Sequence, residues 1–219
     1  MSDFFREIDE EVRRDQIAKL WQKYGTLVIV LLALVIAGIG GWRFYRDRQV
    51  QAAQVIGASF EDAAKLAKGG KDAEAEAAFS KIANENSGGY RMLARFRAAS
   101  ALAKNDAPAG VKAFDALAGD ASLDPVLQDL ARIRAATLLV DTAAYQEISA
   151  RVEGLAMPGN AWRNSARELL GLSSLKAGDT DKAGRWFDQV IVDPKVAPSQ
   201  RQRAELMLEL VRSGPAPKS

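Results

Sequence analysis

Apolar residues are arranged along this chain in three ways, and each arrangement predicts a different element. From Tyr24 to Trp42 the stretch YGTLVIVLLALVIAGIGGW holds no charged residue over 19 positions. As a helix it extends roughly 28 Å at about 1.5 Å per residue, close to the thickness of a bilayer's hydrocarbon core. A cleaved signal has a short basic leader, a shorter apolar stretch and a small-residue cleavage site. Here 23 residues precede the run, Asp3, Glu7, Asp9, Glu10, Glu11 and Asp15 among them, and the basic, bulky RFYRDRQ follows it. Trp21, Tyr24, Trp42 and Tyr45 stand where interfacial aromatics are expected. The pattern predicts an uncleaved single-span anchor.

Ahead of the span, Phe4, Phe5, Ile8, Val12, Ile17, Leu20 and Trp21 recur at helical spacing with charges between them. This predicts an amphipathic leader that lies on headgroups or docks on a partner; a plain extension of the span helix is the other reading. Beyond the span the chain is rich in Ala and Leu. Breaks fall at Gly69-Gly70, Ser87-Gly88-Gly89, Asn105-Asp106, Gly119-Asp120, Asp124-Pro125, Pro158-Gly159, Gly178-Asp179 and Asp193-Pro194. The intervening segments, about 12 to 18 residues long, suit helices, and no convincing alternation predicts a strand. The fold class is all-α.

The breaks recur. Aligned on Phe79, Phe114 and Phe187, the position four earlier is Ala75, Gly110 and Ala183, and the position 16 earlier is Ala63, Ala98 and Gly171. Three later come Ile82, Leu117 and Val190, and nine earlier come Gly70, Asn105 and Gly178. Small residues let antiparallel helices approach, the aromatic fills the gap between stacked pairs, and Gly or Asn can take the left-handed conformation that ends a helix. Phe79 and Phe114 are 35 apart and Phe114 and Phe187 are 73 apart, which leaves room for a worn unit near 125–140 and 143–155. A unit near 34 residues with this pattern is the tetratricopeptide pattern, best preserved in LLGLSSLKAGDTDKAGRWFDQVIVDP. The expected organisation is a leader over 1–23, a transmembrane helix over 24–45, a tetratricopeptide-like α-solenoid over 46–212 and a disordered tail over 213–219.

Charge narrows the picture. Arg6, Arg13, Arg14, Lys19 and Lys23 precede the span, against Arg43, Arg46 and Arg48 just after it. The five-to-three excess favours a cytoplasmic N-terminus, and a chain without Cys is compatible with an oxidising compartment beyond the membrane. From Arg43 onward 25 basic residues face 22 acidic ones with no long run of one sign, which argues against a nucleic-acid partner. The absence of His and Cys removes the usual general base, thiolate nucleophile and zinc ligands. Carboxylate neighbours such as Glu61 and Asp62, or Glu74 and Glu76, do not face one another on a helix. No catalytic, metal-binding or cofactor-binding residue is expected, and no enzyme.

The chain also resembles a known family, the ancillary SecYEG translocon subunits (YfgM-like). GWRFY at 41–45, YRMLARFRAA at 90–99, LARIRAA at 130–136 and LKAGDTDKAGRWF at 175–187 carry the resemblance. It implies a bacterial inner-membrane protein with a short cytoplasmic leader, one span and a periplasmic tetratricopeptide-like domain. It further implies a non-enzymatic role beside the SecYEG translocon, with a membrane-anchored prolyl-isomerase-like periplasmic chaperone and exported client proteins as partners. The alternative is a holdase-type periplasmic chaperone that binds unfolded clients directly.

Stacked helix pairs present an extended binding face. Arg91 and Arg95, Arg132 and Arg134, and Arg163 and Arg167 fall at roughly similar places in the first helices of successive pairs. Such a ladder could hold acidic segments, so Arg95, Arg132, Arg167 and the helix-opening Trp162 are the candidate partner-binding residues. The competing reading makes the arginines ordinary solvated positions balanced by Asp129, Glu147 and Glu168, and makes Trp162 a staple. In the span, Ala33, Ala37 and Gly41 form a small-residue stripe suited to close packing of another transmembrane helix.

Overall fold

The structure, a computed structural model, describes residues 2–85 and 88–213, with the side chains of 2–20 and of Gln22, Tyr24, Val28, Ala33 and Ala52 outside that description. The leader stripe from Phe4 to Leu20 therefore lies outside the described side chains, and residues 214–219 of the expected tail lie outside the described residues. Ser213 ends a helix.

All regular structure among the described residues is helical. α1 runs Ser2–Lys68, α2 Asp72–Glu85, α3 Gly88–Asn105, α4 Ala107–Ala118, α5 Pro125–Leu139, α6 Tyr145–Val152, α7 Arg163–Lys176, α8 Thr180–Ile191 and α9 Pro198–Ser213, with a 3-10 turn over Glu153–Ala156. The chain divides into two units, Met1–Val55 and Ile56–Ser219.

In the first unit, Leu27, Ile29, Val30, Leu31, Leu32, Leu34, Val35, Ile36 and Ile39 are 53 to 65% exposed. Among the described residues only this part of α1 is long and apolar enough to cross a membrane.

The second unit begins with the C-terminal part of α1 and stacks helices in antiparallel pairs. Local chemistry sets the ends. Asp106, Asp124 and Asp179 cap α4, α5 and α8 by accepting from the backbone N–H of Ala109, Val126 and Lys182, and Pro125 occupies the first turn of α5. Gly70 and Gly178 end α1 and α7 at φ +75° and +81°. Behind each, the next N–H reaches back, Lys71 to Leu66 O at 3.0 Å and Asp179 to Ser174 O at 3.0 Å, the closure of a left-handed helix stop. Asn105 departs from the expectation. No non-glycine residue has positive φ among the described residues; Asn105 is the last residue of α3, and Asp106 N bonds Leu102 O in ordinary helical register before capping α4.

The worn unit is the pair α5 and α6. Counting eight residues from the N-cap Asp106 or Asp179 reaches Phe114 or Phe187, and the same count from the N-cap Ala144 reaches Val152. Ala136 then stands 16 before Val152 and Leu155 three after, both buried. The fourth position before it is Ile148 where the other pairs carry Ala75, Gly110 and Ala183. The large residue has moved one turn toward the N-terminus, and Ile with Val fills the space of small with Phe. Phe114 to Val152 spans 38 residues and Val152 to Phe187 spans 35, so the three extra residues sit in the connection around Gly119 to Asp124.

Each core cluster joins one pair to the first helix of the next. Phe79 is buried with Ala63, Ala94 and Ala98, Phe114 with Ala131 and Ala135, Ile148 and Val152 with Ala166 and Leu170, and Phe187 with Ala204 and Leu208. α9, the last helix among the described residues, closes the last cluster.

Candidate protein-interaction groove

The helices that open successive pairs share one face. Three of them, α5, α7 and α9, line a groove of about 340 Å³. Leu130, Ile133, Leu169 and Leu172 give it an apolar lining, and Arg134, Trp162, Glu168 and Arg203 supply polar atoms. Arg203 Nε and Nη2 donate to the two Glu168 oxygens at 2.6 and 3.0 Å, a two-pronged tie between α7 and α9 that consumes the Glu168 charge. Gln200 Nε2 donates to Ser165 Oγ at 3.2 Å across the same two helices. Arg134 is exposed and makes no ion pair among the described residues.

A second groove, about 510 Å³, lies between the C-terminal part of α1 and α3. Phe60 and Phe79 line it with Arg97 and Lys104. Lys104 bonds Asp72 at 2.9 Å, while Arg97 is exposed without an ion pair among the described residues. Lys68, in the lining of the same groove, is likewise exposed without an ion pair among the described residues, so Lys68 and Arg97 here and Arg134 in the α5–α7–α9 groove are open cations.

The residues singled out from the sequence are placed differently. Arg95 Nη1 donates to Asp120 at 2.6 Å, and it lines the cavity bounded by α2, α3 and α4 rather than either groove above. Asp120 also accepts from the Ser122 hydroxyl and backbone N–H; those bonds first, then Arg95, hold its pKa down to about 2. Arg132 pairs with Asp129 of its own helix at 2.5 Å. Arg167 is buried, donating to Ala156 O, Asn164 Oδ1, Gln189 O and Asp193 Oδ2. Trp162 lies in the α5–α7–α9 groove, but its Nε1 donates to Val126 O at 2.8 Å and its ring packs on the α5–α6–α7 core. Ala37 and Gly41 are exposed on α1, and the Ala33 side chain lies outside the described residues.

The four are not brought together, and of the ladder arginines named from the sequence the one that lines this groove is Arg134. Register explains it. Arg132 and Arg167 stand four residues before the small residues Ala136 and Gly171; at that register Arg167 is buried and Arg132 is half-buried against Asp129, whereas Arg134, two before Ala136, is exposed on the groove. Indexing the arginines to the small residue would have separated them. Arg97 and Arg203 carry no signal of that kind, since their place depends on which helix packs next.

A family model for a tetratricopeptide repeat-like domain matches residues 18–207. The chain belongs to the tetratricopeptide repeat-like domain family. The match takes in the apolar segment of α1 together with the four helix pairs. No curated protein and no solved structure matches the chain. Tetratricopeptide-like domains are protein-interaction modules built from stacked pairs, so membership points to protein partners and to no enzymatic family.

Proposed function

We propose that this tetratricopeptide-like protein is a single-span scaffold of the bacterial inner membrane, with residues 1–23 cytoplasmic, 24–45 spanning and 46–212 forming a periplasmic repeat domain. Its repeats contact proteins beside the SecYEG translocon and link exported chains to a membrane-anchored prolyl-isomerase-like chaperone. One observation carries the reading: an apolar helix with nine large side chains more than half exposed continues into stacked interaction repeats. Exposed apolar surface on that scale is costly in water and favourable in a bilayer. Tethering then works through effective concentration, which makes individually weak contacts useful close to the membrane. The α5–α7–α9 groove, apolar with an open Arg134, is the first surface to test for such contacts.

Protease added to intact spheroplasts is expected to digest the repeat domain and leave a membrane-protected N-terminal fragment. Full protection of the chain contradicts the placement, and release of the chain by alkaline washing contradicts the anchor. The runner-up, direct holding of unfolded clients, draws on the exposed Val192, Leu206 and Leu210.

A further inference from the structure

The uncharged run of α1 closes at Trp42, and the six residues that follow, Arg43 to Arg48, hold three arginines and one aspartate. All six are exposed. Residues three and four apart share one face of a helix, and Arg46 stands three beyond Arg43 and four beyond Trp42. Trp42, Arg43 and Arg46 therefore form one face, on which Trp42 is 70% exposed. Arg48 lies on another face, its guanidinium carbon 5.0 Å from the centre of the Phe44 ring. Neither Arg43 nor Arg46 makes an ion pair among the described residues, and Asp47, one turn beyond Arg43, makes none either.

Two like charges three residues apart oppose the helix that carries them. An anion held between them removes that repulsion, and the donor forks of guanidinium groups match phosphate oxygens. Depth selects the phosphate. At about 1.5 Å per residue, Arg46 lies roughly 6 Å along the helix beyond Trp42, and Arg48 roughly 9 Å. The headgroup layer is about 5 to 7 Å thick on each side of the hydrocarbon core. With Trp42 at the boundary of the core, Arg43 and Arg46 fall within that layer and Arg48 beyond it. In the proposed topology this end of the span faces away from the cytoplasm, the side on which Lys and Arg are fewer, so an adjacent arginine pair here goes against the usual charge bias.

We propose that the Trp42–Arg43–Arg46 face binds one anionic phospholipid, with both guanidinium groups on its phosphate and Trp42 setting its depth. A choline headgroup is disfavoured because its quaternary ammonium meets the same two cations. The inference rests on the single-span reading and adds to it the lipid class that the far end of the span selects.

The test is native mass spectrometry of the full chain in detergent micelles, titrated with phosphatidylglycerol or with phosphatidylcholine. Flotation of the same chain with vesicles of phosphatidylcholine alone runs beside it. One phosphatidylglycerol per chain is expected to be retained at least about tenfold more tightly than phosphatidylcholine. Arg43→Gln and Arg46→Gln should each lower that preference by about threefold or more, and the double variant should remove it. Arg48→Gln makes the same change of charge on another face and should leave the preference in place. All variants should still float. Equal retention of the two lipids by a chain that floats overturns the lipid site and leaves the single-span reading standing. A chain that does not float contradicts that reading and the site with it. The site is also overturned if Arg48→Gln costs as much as Arg43→Gln, which would make the attraction a diffuse one, or if inorganic phosphate binds the chain and phosphatidylglycerol does not.

Discussion

Gly110 and Gly171 set how closely paired and neighbouring helices approach. A Cβ on Gly110 would lie 2.3 Å from Ala103 Cβ and 2.5 Å from Ala103 Cα. Backbone is involved, so α3 and α4 would have to part. On Gly171 it would meet the Phe187 ring at 2.7 Å, and Phe187 is fully buried with nowhere to turn. On Gly184 the nearest atoms are 3.7 and 3.8 Å away, ordinary contact. Opposite signs follow. Gly110→Ala and Gly171→Ala should each destabilise by about 1 to 3 kcal/mol, and Gly184→Ala should stabilise by roughly 0.5 to 1 kcal/mol through helix propensity; denaturant midpoints of the purified chain check all three. The sequence announced these positions as small, but only the contacts distinguish a glycine that is required from one that is tolerated.

Charge at single residues makes a second prediction. Asp120 is held at about 2 by Ser122 and then Arg95, below the roughly 3.9 of an unfolded aspartate. A depressed folded pKa means the contribution is complete above the unfolded value and is lost as pH falls through the folded one. Asp193, lowered first by its hydrogen bonds from Arg163 and then by the Lys195 N–H, acts in the same direction and to lower pH. Melting temperature should therefore fall between about pH 4 and pH 2, and Asp120→Asn should flatten part of that fall. A variant as steep as the parent would remove Asp120 from the account.

At the scale of elements, the α5–α6 pair keeps its packing by exchanging sizes between Ile148 and Val152. Val152→Phe alone restores the aromatic without clearing space and should cost about 1 to 3 kcal/mol. Adding Ile148→Ala should recover part of it, a coupling of about 0.5 kcal/mol or more. Strict additivity in that cycle would mean the two positions do not share one space. Helix boundaries were largely legible, because Asp-Pro, Gly-Asp and Asn-Asp act through local hydrogen bonds and dihedrals. Every break named from the sequence that lies in the described residues falls at an element end or in the connection between two elements. The tetratricopeptide pairing was legible too, since its small and aromatic positions are fixed relative to each other within a pair. The open face was not. Arg132 and Arg134 differ by their register to Ala136, but whether Arg97 or Arg203 reaches a groove depends on which helix packs next, a long-range fact with no local trace.

At the scale of the whole molecule, clusters that each bridge one pair to the next make stability depend on neighbours. α9 closes the final cluster, covering Phe187 and Val190 with Ala204 and Leu208, so removing residues 198–219 should expose that core and lower the unfolding midpoint of the full-length remainder. Unchanged stability would mean the last pair needs no closing helix. The central claim, an anchored scaffold that works beside the translocon, is tested most directly by mild-detergent affinity purification from membranes. The full chain would be compared with one whose residues 1–49 are replaced by an unrelated anchor of the same topology. The account predicts that the full chain recovers translocon subunits together with a periplasmic chaperone. Loss in the swapped chain would assign translocon docking to the leader and span, and retention would assign it to the repeats. Recovery of neither partner by either chain would contradict the account.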